Sequence, residues 1–308
     1  MAITYFSMHE PTHSYNAIIL GGGNLKSENH EPVEEPTIPK GNILFGGKEL
    51  GRIAYEAAIG AYDFSRVALV MHESERVALR PQDAYVLPDM GRNFFRSISR
   101  CRLPLKDGKS LLDDGLADYL IIAGDLPFLK PEHVKMFFDE VHTYQSANII
   151  LPIIPRESNE RAYPKRVRGY IGLQEGEFVL GSIAYLSQNT MQSKRFSEMI
   201  DLYDKYNSKF YLIHELVNQF GLIATLEMNQ RIAHLLESLH IANGSSKVSL
   251  ARFETHISEY FGYSGASSVK LVPFNSPEIA YDIDTAEDFR EAERLNQSMS
   301  LEERIANV

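Results

Sequence analysis

The stretch that decides the fold is Ile121-Ile-Ala-Gly-Asp-Leu-Pro-Phe-Leu129, which continues the apolar run begun at Tyr119 and ends it on Gly124-Asp125. A continuous apolar run reads as a strand buried on both faces of a parallel sheet, whereas a half-exposed strand would alternate. A carboxylate just past the end of such a strand sits where open α/β sheets bind ligands. Asp125 lies about five residues before the helix that Pro131 opens, too far to cap it, so a ligand-binding role is favoured.

Moving outward, runs of the same kind occur at Ala17–Leu20, Arg66–Val70, Ala84–Leu87 and Asn148–Pro152. Helical spacing lies between them, in Leu50, Ile53, Ala54, Ala57 and Ala58, in Phe94, Phe95, Ile98 and Cys101, and in Val134, Phe137, Phe138 and Val141. Strand and helix in alternation predict right-handed βαβ units, hence an open, mostly parallel sheet with helices on both faces. Beyond residue 160 the spacing predicts strands over 169–173 and 178–186, then a helical insertion over about 189–262 within one domain spanning 1–308. The tail returns to strands at 269–272 and 279–282, with a helix from Thr285, where Asp288 three residues on makes a capping-box start.

Composition excludes several classes. The 308 residues are 44% hydrophobic and 23% charged, which is enough apolar mass for a packed core. The formal net charge of -10 has the wrong sign for nucleic acid or an anionic membrane. No apolar stretch reaches the roughly 18 residues of a membrane span. The absence of Lys and Arg before Lys26 gives no basic flank for a secretory signal, and the single Cys101 suits a reducing compartment, so a cytoplasmic place is expected.

Four segments hold the candidate chemistry. Gly21, Gly22 and Gly23 follow the first strand and end at Asn24-Leu-Lys26; glycines there let backbone N–H groups approach a phosphate. They fit neither a dinucleotide fingerprint nor a phosphate-hydrolysing P-loop, and a tight turn is the plainer reading. Next comes Ile38-Pro-Lys-Gly-Asn-Ile-Leu-Phe-Gly-Gly-Lys-Glu-Leu50, in which Lys40 is a point charge for phosphate oxygens. Asp125 is the third, its hard oxygens suited to Mg²⁺. The fourth is Glu278-Ile-Ala-Tyr-Asp-Ile-Asp-Thr-Ala-Glu-Asp-Phe289, where Asp284 is either a ligand residue or a helix cap. Between the first two, the loop from Lys26 to Pro39, with Glu28, Glu31, Glu34, Glu35 and three prolines, is expected to order only over bound nucleotide.

In this order the four segments resemble the molybdenum-cofactor guanylyltransferase-like nucleotidyltransferases over most of the chain. The resemblance implies a GT-A-type fold, transfer of a nucleoside monophosphate from a nucleoside triphosphate to a small phosphorylated acceptor, release of pyrophosphate, and Mg²⁺. It places Gly21 and Gly22 in the nucleotide loop, gives Lys40 the loop's lysine and makes Asp125 and Asp284 the metal side. Gly23 and Lys26 complete the loop, Lys26 standing in for an arginine that relatives carry, and Asp89 to Asn93 is within reach of the base. Gly181 and Ser182, where relatives have Gly-Asn, fall on the acceptor. Two other classes stay open: a nucleotide-sugar-dependent glycosyltransferase, for which Gly124-Asp125-Leu126 lacks the Asp-x-Asp expected at the central strand, and a nucleotide-binding protein without turnover.

Overall fold

The computed structural model describes residues 14–21, 39–71, 78–86, 98, 101, 108, 110, 117–166, 170–196, 249–263 and 268–306. The strands among them are β1 (Ser14–Leu20), β2 (Leu44–Phe45), β3 (Lys48–Glu49), β4 (Arg66–Val70), β5 (Ala84–Val86), β6 (Ala117–Ala123), β7 (Ile149–Pro155), β8 (Ile171–Leu173), β9 (Gly176–Leu180), β10 (Ile183–Leu186) and β11 (Val269–Pro273). The helices are α1 (Leu50–Ala61), α2 (Pro131–Thr143), α3 (Arg156–Ala162), α4 (Gln188–Gln192), α5 (Leu250–Tyr260) and α6 (Ala286–Ala306).

The main sheet runs β5-β4-β1-β6-β10-β7-β9-β8, with β11 pairing β7. β1, β4, β5 and β6 are parallel neighbours, and β7 and β11 run the same way; β9 and β10 are reversed. This is the open, mostly parallel sheet expected from the apolar runs. Alternate residues of a strand face opposite sides, and the core divides accordingly. Ala17, Ile19, Leu120 and Ile122 pack under Ala54, Ala57 and Ala58 of α1 and Val134, Phe137 and Phe138 of α2. Ile18, Leu20, Tyr119 and Ile121 face the other way, onto Met191 of α4 and the partly buried Ile257 of α5. Helices therefore cover both faces, and each large aliphatic fully buried there stabilises by about 1.5–3 kcal/mol.

Two local expectations change, and one feature is added. The single strand over 178–186 is two strands, because the N–H of Gly181 turns to Pro152 O and that of Ser182 to Ile279 O, leaving the β9 line. Residues 279–282 are not a strand: Pro277–Ala280 is a 3-10 turn, with Ile279 N–H bonded to Ser276 O and Tyr281 N–H to Glu278 O. The segment before α1 carries a hairpin, β2 against β3, whose two connecting residues Gly46 and Gly47 have φ of 56° and 83°, the backbone a tight primed turn requires. Of the expected helices at 94–101 and 189–239, only Ile98, Cys101 and residues up to 196 are among those described, so most of both lies outside. Among the described residues no helix is long and apolar enough to cross a membrane.

Candidate functional site

The site is built by three glycines. β1 and β6 are parallel and in register to their last pair, Leu20 with Ala123, so Gly21 and Gly124 emerge side by side. Gly124 donates its N–H to Leu20 O at 2.9 Å, and Gly41 donates to Gly21 O at 2.9 Å. A Cβ on Gly124 would lie 2.7 Å from Gly21 Cα, and one on Gly41 would lie 2.6 Å from Gly21 O. Three backbones thus meet at distances that only glycine permits. The residues next to two of these glycines, Lys40 and Asp125, are brought together as a result.

Asp284 arrives from the other end of the chain. Ile283 donates its N–H to Asp125 O at 3.1 Å, fixing the segment beside the end of β6. The cap question is settled by Thr285: it accepts from Asp288 N at 3.1 Å, while the Asp288 carboxylate accepts from Thr285 N at 2.8 Å. Thr285 is therefore the N-cap of α6 in a reciprocal capping box. Asp284, one residue before the cap, is not the capping residue, and its carboxylate meets Lys40 instead.

Lys40 Nζ lies 3.0 Å from Asp125 Oδ2 and 2.6 Å from Asp284 Oδ1. Its side chain is 10% exposed and that of Asp125 13%, whereas Asp284 is 40% exposed and forms the open side. Burial alone would lower the pKa of the Lys40 ammonium, but the two carboxylates outweigh it and hold the group well above its ordinary value, fully charged. Two carboxylates converge on one cation at the carboxyl end of a central strand. Among the described residues no group of three or more His, Cys, Asp or Glu is placed to hold a metal ion. The pair fits Mg²⁺ in its usual protein setting, one or two carboxylates with the remaining ligands drawn from water and substrate phosphate.

The other expected site residues fall as follows. Gly181 and Ser182 are close by: Ala123 donates its N–H to Ser182 O at 2.9 Å, one residue before Gly124, and Ser182 is half-buried. Gly21 is at the site, yet its N–H is committed to Val70 O at 2.8 Å, so its part here is close backbone approach rather than donation to a phosphate. Gly22, Gly23, Lys26, Asp89 and Asn93, and the acidic loop as far as Ile38, lie outside the described residues.

Sequence reasoning missed Arg166. Its side chain is 6% exposed and its Nη2 donates to the carbonyl of Asp282 and, at 3.0 Å, to Asp282 Oδ1. Its guanidinium lies over the Tyr281 ring, 3.9 Å from the centroid, and Tyr281 in turn meets Tyr163 and Phe128 edge-on. In sequence the stretch Tyr163-Pro-Lys-Arg-Val-Arg168 looks like the one that in relatives returns a strand pair to the substrate pocket, but nothing in it separates Arg166 from its basic neighbours.

Neither a family model nor a curated protein matches the sequence. Solved structures do. A hypothetical transferase from Thermus thermophilus is similar, with 22% identity and a TM-score of 0.59 over 90% of this chain and 99% of that one. A 4-diphosphocytidyl-2C-methyl-D-erythritol synthase from Anaerococcus prevotii matches at 12% identity and a TM-score of 0.47, over 92% and 96% of the two chains. A CMP:2-keto-3-deoxy-manno-octonic acid synthetase complexed with CTP matches at 11% and 0.46, over 94% and 100%. The Thermus likeness shows a shared fold that extends over nearly the whole of both chains.

Proposed function

We propose that this chain is a Mg²⁺-dependent nucleotidyltransferase, of the kind its sequence resembles, which moves a nucleoside monophosphate from a nucleoside triphosphate to a small phosphorylated acceptor. The observation that carries this reading is the Lys40 ammonium, held between Asp125 and Asp284 at the carboxyl end of β6. A lysine and two carboxylates, with no side-chain nucleophile among them, suit a reaction in which an acceptor oxygen attacks the α-phosphorus directly. The new P–O bond forms as the bond to the bridging oxygen breaks, and pyrophosphate leaves with the electron pair. Such transfers depend on positioning and charge neutralisation rather than on covalent help from protein.

When bound, Mg²⁺ supplies Lewis-acid stabilisation of charge on phosphoryl oxygens. Asp125 and Asp284 are the residues that would hold it. Lys40, released from them, carries its charge to phosphate oxygens as a mobile point donor. The glycine contact keeps the floor of the site free of side chains, so a triphosphate can approach backbone. Gly22, Gly23 and Lys26 are proposed for the phosphates, Asp89 and Asn93 for the base, and Gly181 and Ser182 for the acceptor. Cys101 takes no part: it is fully buried, and burial pushes its thiol pKa up.

The test is a panel of the four ribonucleoside triphosphates with Mg²⁺, read first by thermal shift. The matching triphosphate at 100 times its Kd should stabilise the protein by about 2.7 kcal/mol. Pyrophosphate release with phosphorylated small molecules then follows turnover. Stabilisation by finished nucleotide-sugars and not by any triphosphate would replace this reading with the glycosyltransferase one.

A further inference from the structure

Arg166 carries an unanswered donor. Its Nη1 is buried and has no hydrogen-bond partner among the described residues, while Nη2 on the same guanidinium is committed to Asp282. Leaving a buried charged donor unpaired is costly, and such a group in a native fold calls for a missing partner. The guanidinium is held rather than loose: Tyr281 stacks beneath it, Asp282 grips one edge, and Asp288 Oδ1 lies 3.9 Å from Nη2. It also stands in the field of the site, since burial lowers its pKa while Asp288, Asp284 and Asp125 each oppose that.

Sheet order says which part of a ligand would meet it. β1 and β4 lie on one side of β6, and the glycine contact and Lys40 belong to that side. β10, β7 and β9 lie on the other. Arg166 follows β7 and α3, and the Asp282 it holds is three residues from Ile279, whose carbonyl accepts from Ser182 N at 2.7 Å. Arg166 and Ser182 thus meet one strap, Ile279 to Asp284, which starts beside β10 at Ser182 and ends at Lys40, 2.6 Å from Asp284 Oδ1. Asp125, at the end of β6, stands between the two halves.

We infer that Arg166 binds the phosphate of the acceptor, taking it through the unpartnered Nη1 while Asp282 and Tyr281 hold the guanidinium in place. A planar, permanently charged fork pre-set by packing is the side chain best suited to a phosphate. The charges around it set a condition. Among the described residues Asp125, Asp282, Asp284 and Asp288 face Lys40 and Arg166, so a divalent cation held by the carboxylates favours entry of a phosphate. This rests on the proposed reaction for the name of the ligand, but binding of the phosphate can be read without turnover.

The experiment uses inorganic phosphate as the probe, on the full chain with Mg²⁺ and without nucleotide. The arginine side-chain N–H signals are followed by NMR, that of Arg166 being assigned by its loss in Arg166→Lys. A saturable shift of the Arg166 signal is expected, absent when Mg²⁺ is omitted. Phosphate affinity should fall at least tenfold in Arg166→Gln and be only partly kept in Arg166→Lys. An Arg166 signal that does not move up to high phosphate concentration overturns the inference, and so does equal affinity in folded Arg166→Gln. Should Arg166→Gln fail to fold, the titration of the unaltered protein decides alone. A shift at Arg166 in a protein that releases no pyrophosphate from any triphosphate would keep this anion site and reject the proposed reaction.

Discussion

Lys40 Nζ and Asp284 Oδ1 are 2.6 Å apart although 244 positions separate them in the chain. Asp125 shares the same ammonium at 3.0 Å. The lysine therefore stands at the point on which both proposed metal carboxylates converge. On the proposed reading a metal ion would compete with this ammonium for the same oxygens and, on binding, release the lysine.

Removing the resident cation should then favour metal. In Lys40→Met, Mn²⁺ binding measured by electron paramagnetic resonance without nucleotide should tighten several-fold. Triphosphate binding should weaken by about 1–3 kcal/mol, the worth of a charge-assisted contact. Without metal the variant should also be less stable than the parent, because both carboxylates lose the ammonium that lies between them, and Mn²⁺ should restore part of the loss. Unchanged Mn²⁺ affinity would mean that the lysine does not hold the metal position.

The glycine contact makes a second prediction, read by urea denaturation. Gly124→Ala places a Cβ 2.7 Å from Gly21 Cα, backbone against backbone, where neither side can yield. It should cost about 1–3 kcal/mol or more. Gly51→Ala is the contrast: its Cβ meets the flexible end of Met71 at 2.6 Å, and alanine gains about 1 kcal/mol of helix propensity within α1. That variant should stay within about 1 kcal/mol of the parent. Equal losses in the two would show that the close approach at the site is not the constraint described.

Far from the site, Asp83 is locked under β4. It accepts from Tyr55 OH at 2.6 Å, from Val67 N at 3.0 Å and from Arg80 Nε at 2.9 Å. Burial, and then the bond to Asp83, push the Tyr55 phenol up to about 12 from an ordinary 10.0. The folded pKa is the higher, so this contribution to stability is complete below pH 10 and is lost as pH rises toward 12. Tyr55→Phe should cost about 1–3 kcal/mol at neutral pH, because Arg80 N loses its acceptor as well. It should also flatten part of the alkaline decline in a denaturation series. A decline as steep as that of the parent would rule out this linkage.

Much of this was legible in the residues themselves. The continuous apolar runs of β1, β4 and β6 specify strands because both faces of each are buried, and Asp125 follows from where such a strand ends. Thr285 and Asp288 announce their capping box. The failures share a physical cause. Ile279 to Asp282 reads as a short strand, but the backbone there forms a 3-10 turn, Ile279 O accepts from Ser182 N and the next residue, Ile283, donates to Asp125 O, partners that local pattern does not reveal. The glycine run after β1 reads either as a phosphate approach or as a tight turn, and which N–H groups stay available depends on a neighbouring strand, here Val70 of β4 for Gly21. Arg166 was invisible for the same reason, its burial being created by Tyr281 and Asp282 more than a hundred positions away.

The measurement that bears most directly on the account is pyrophosphate release from the stabilising triphosphate, with acceptor and Mg²⁺, in the parent and in Asp125→Asn. The substitution keeps size and shape and leaves Asp284 on the Lys40 ammonium, so the fold should be retained even where some stability is lost. Release is expected to be saturable in the parent and reduced to background in the variant. Pyrophosphate release in Asp125→Asn at the parent's rate and at low Mg²⁺ would contradict the assignment of Lys40, Asp125 and Asp284 as the site of transfer.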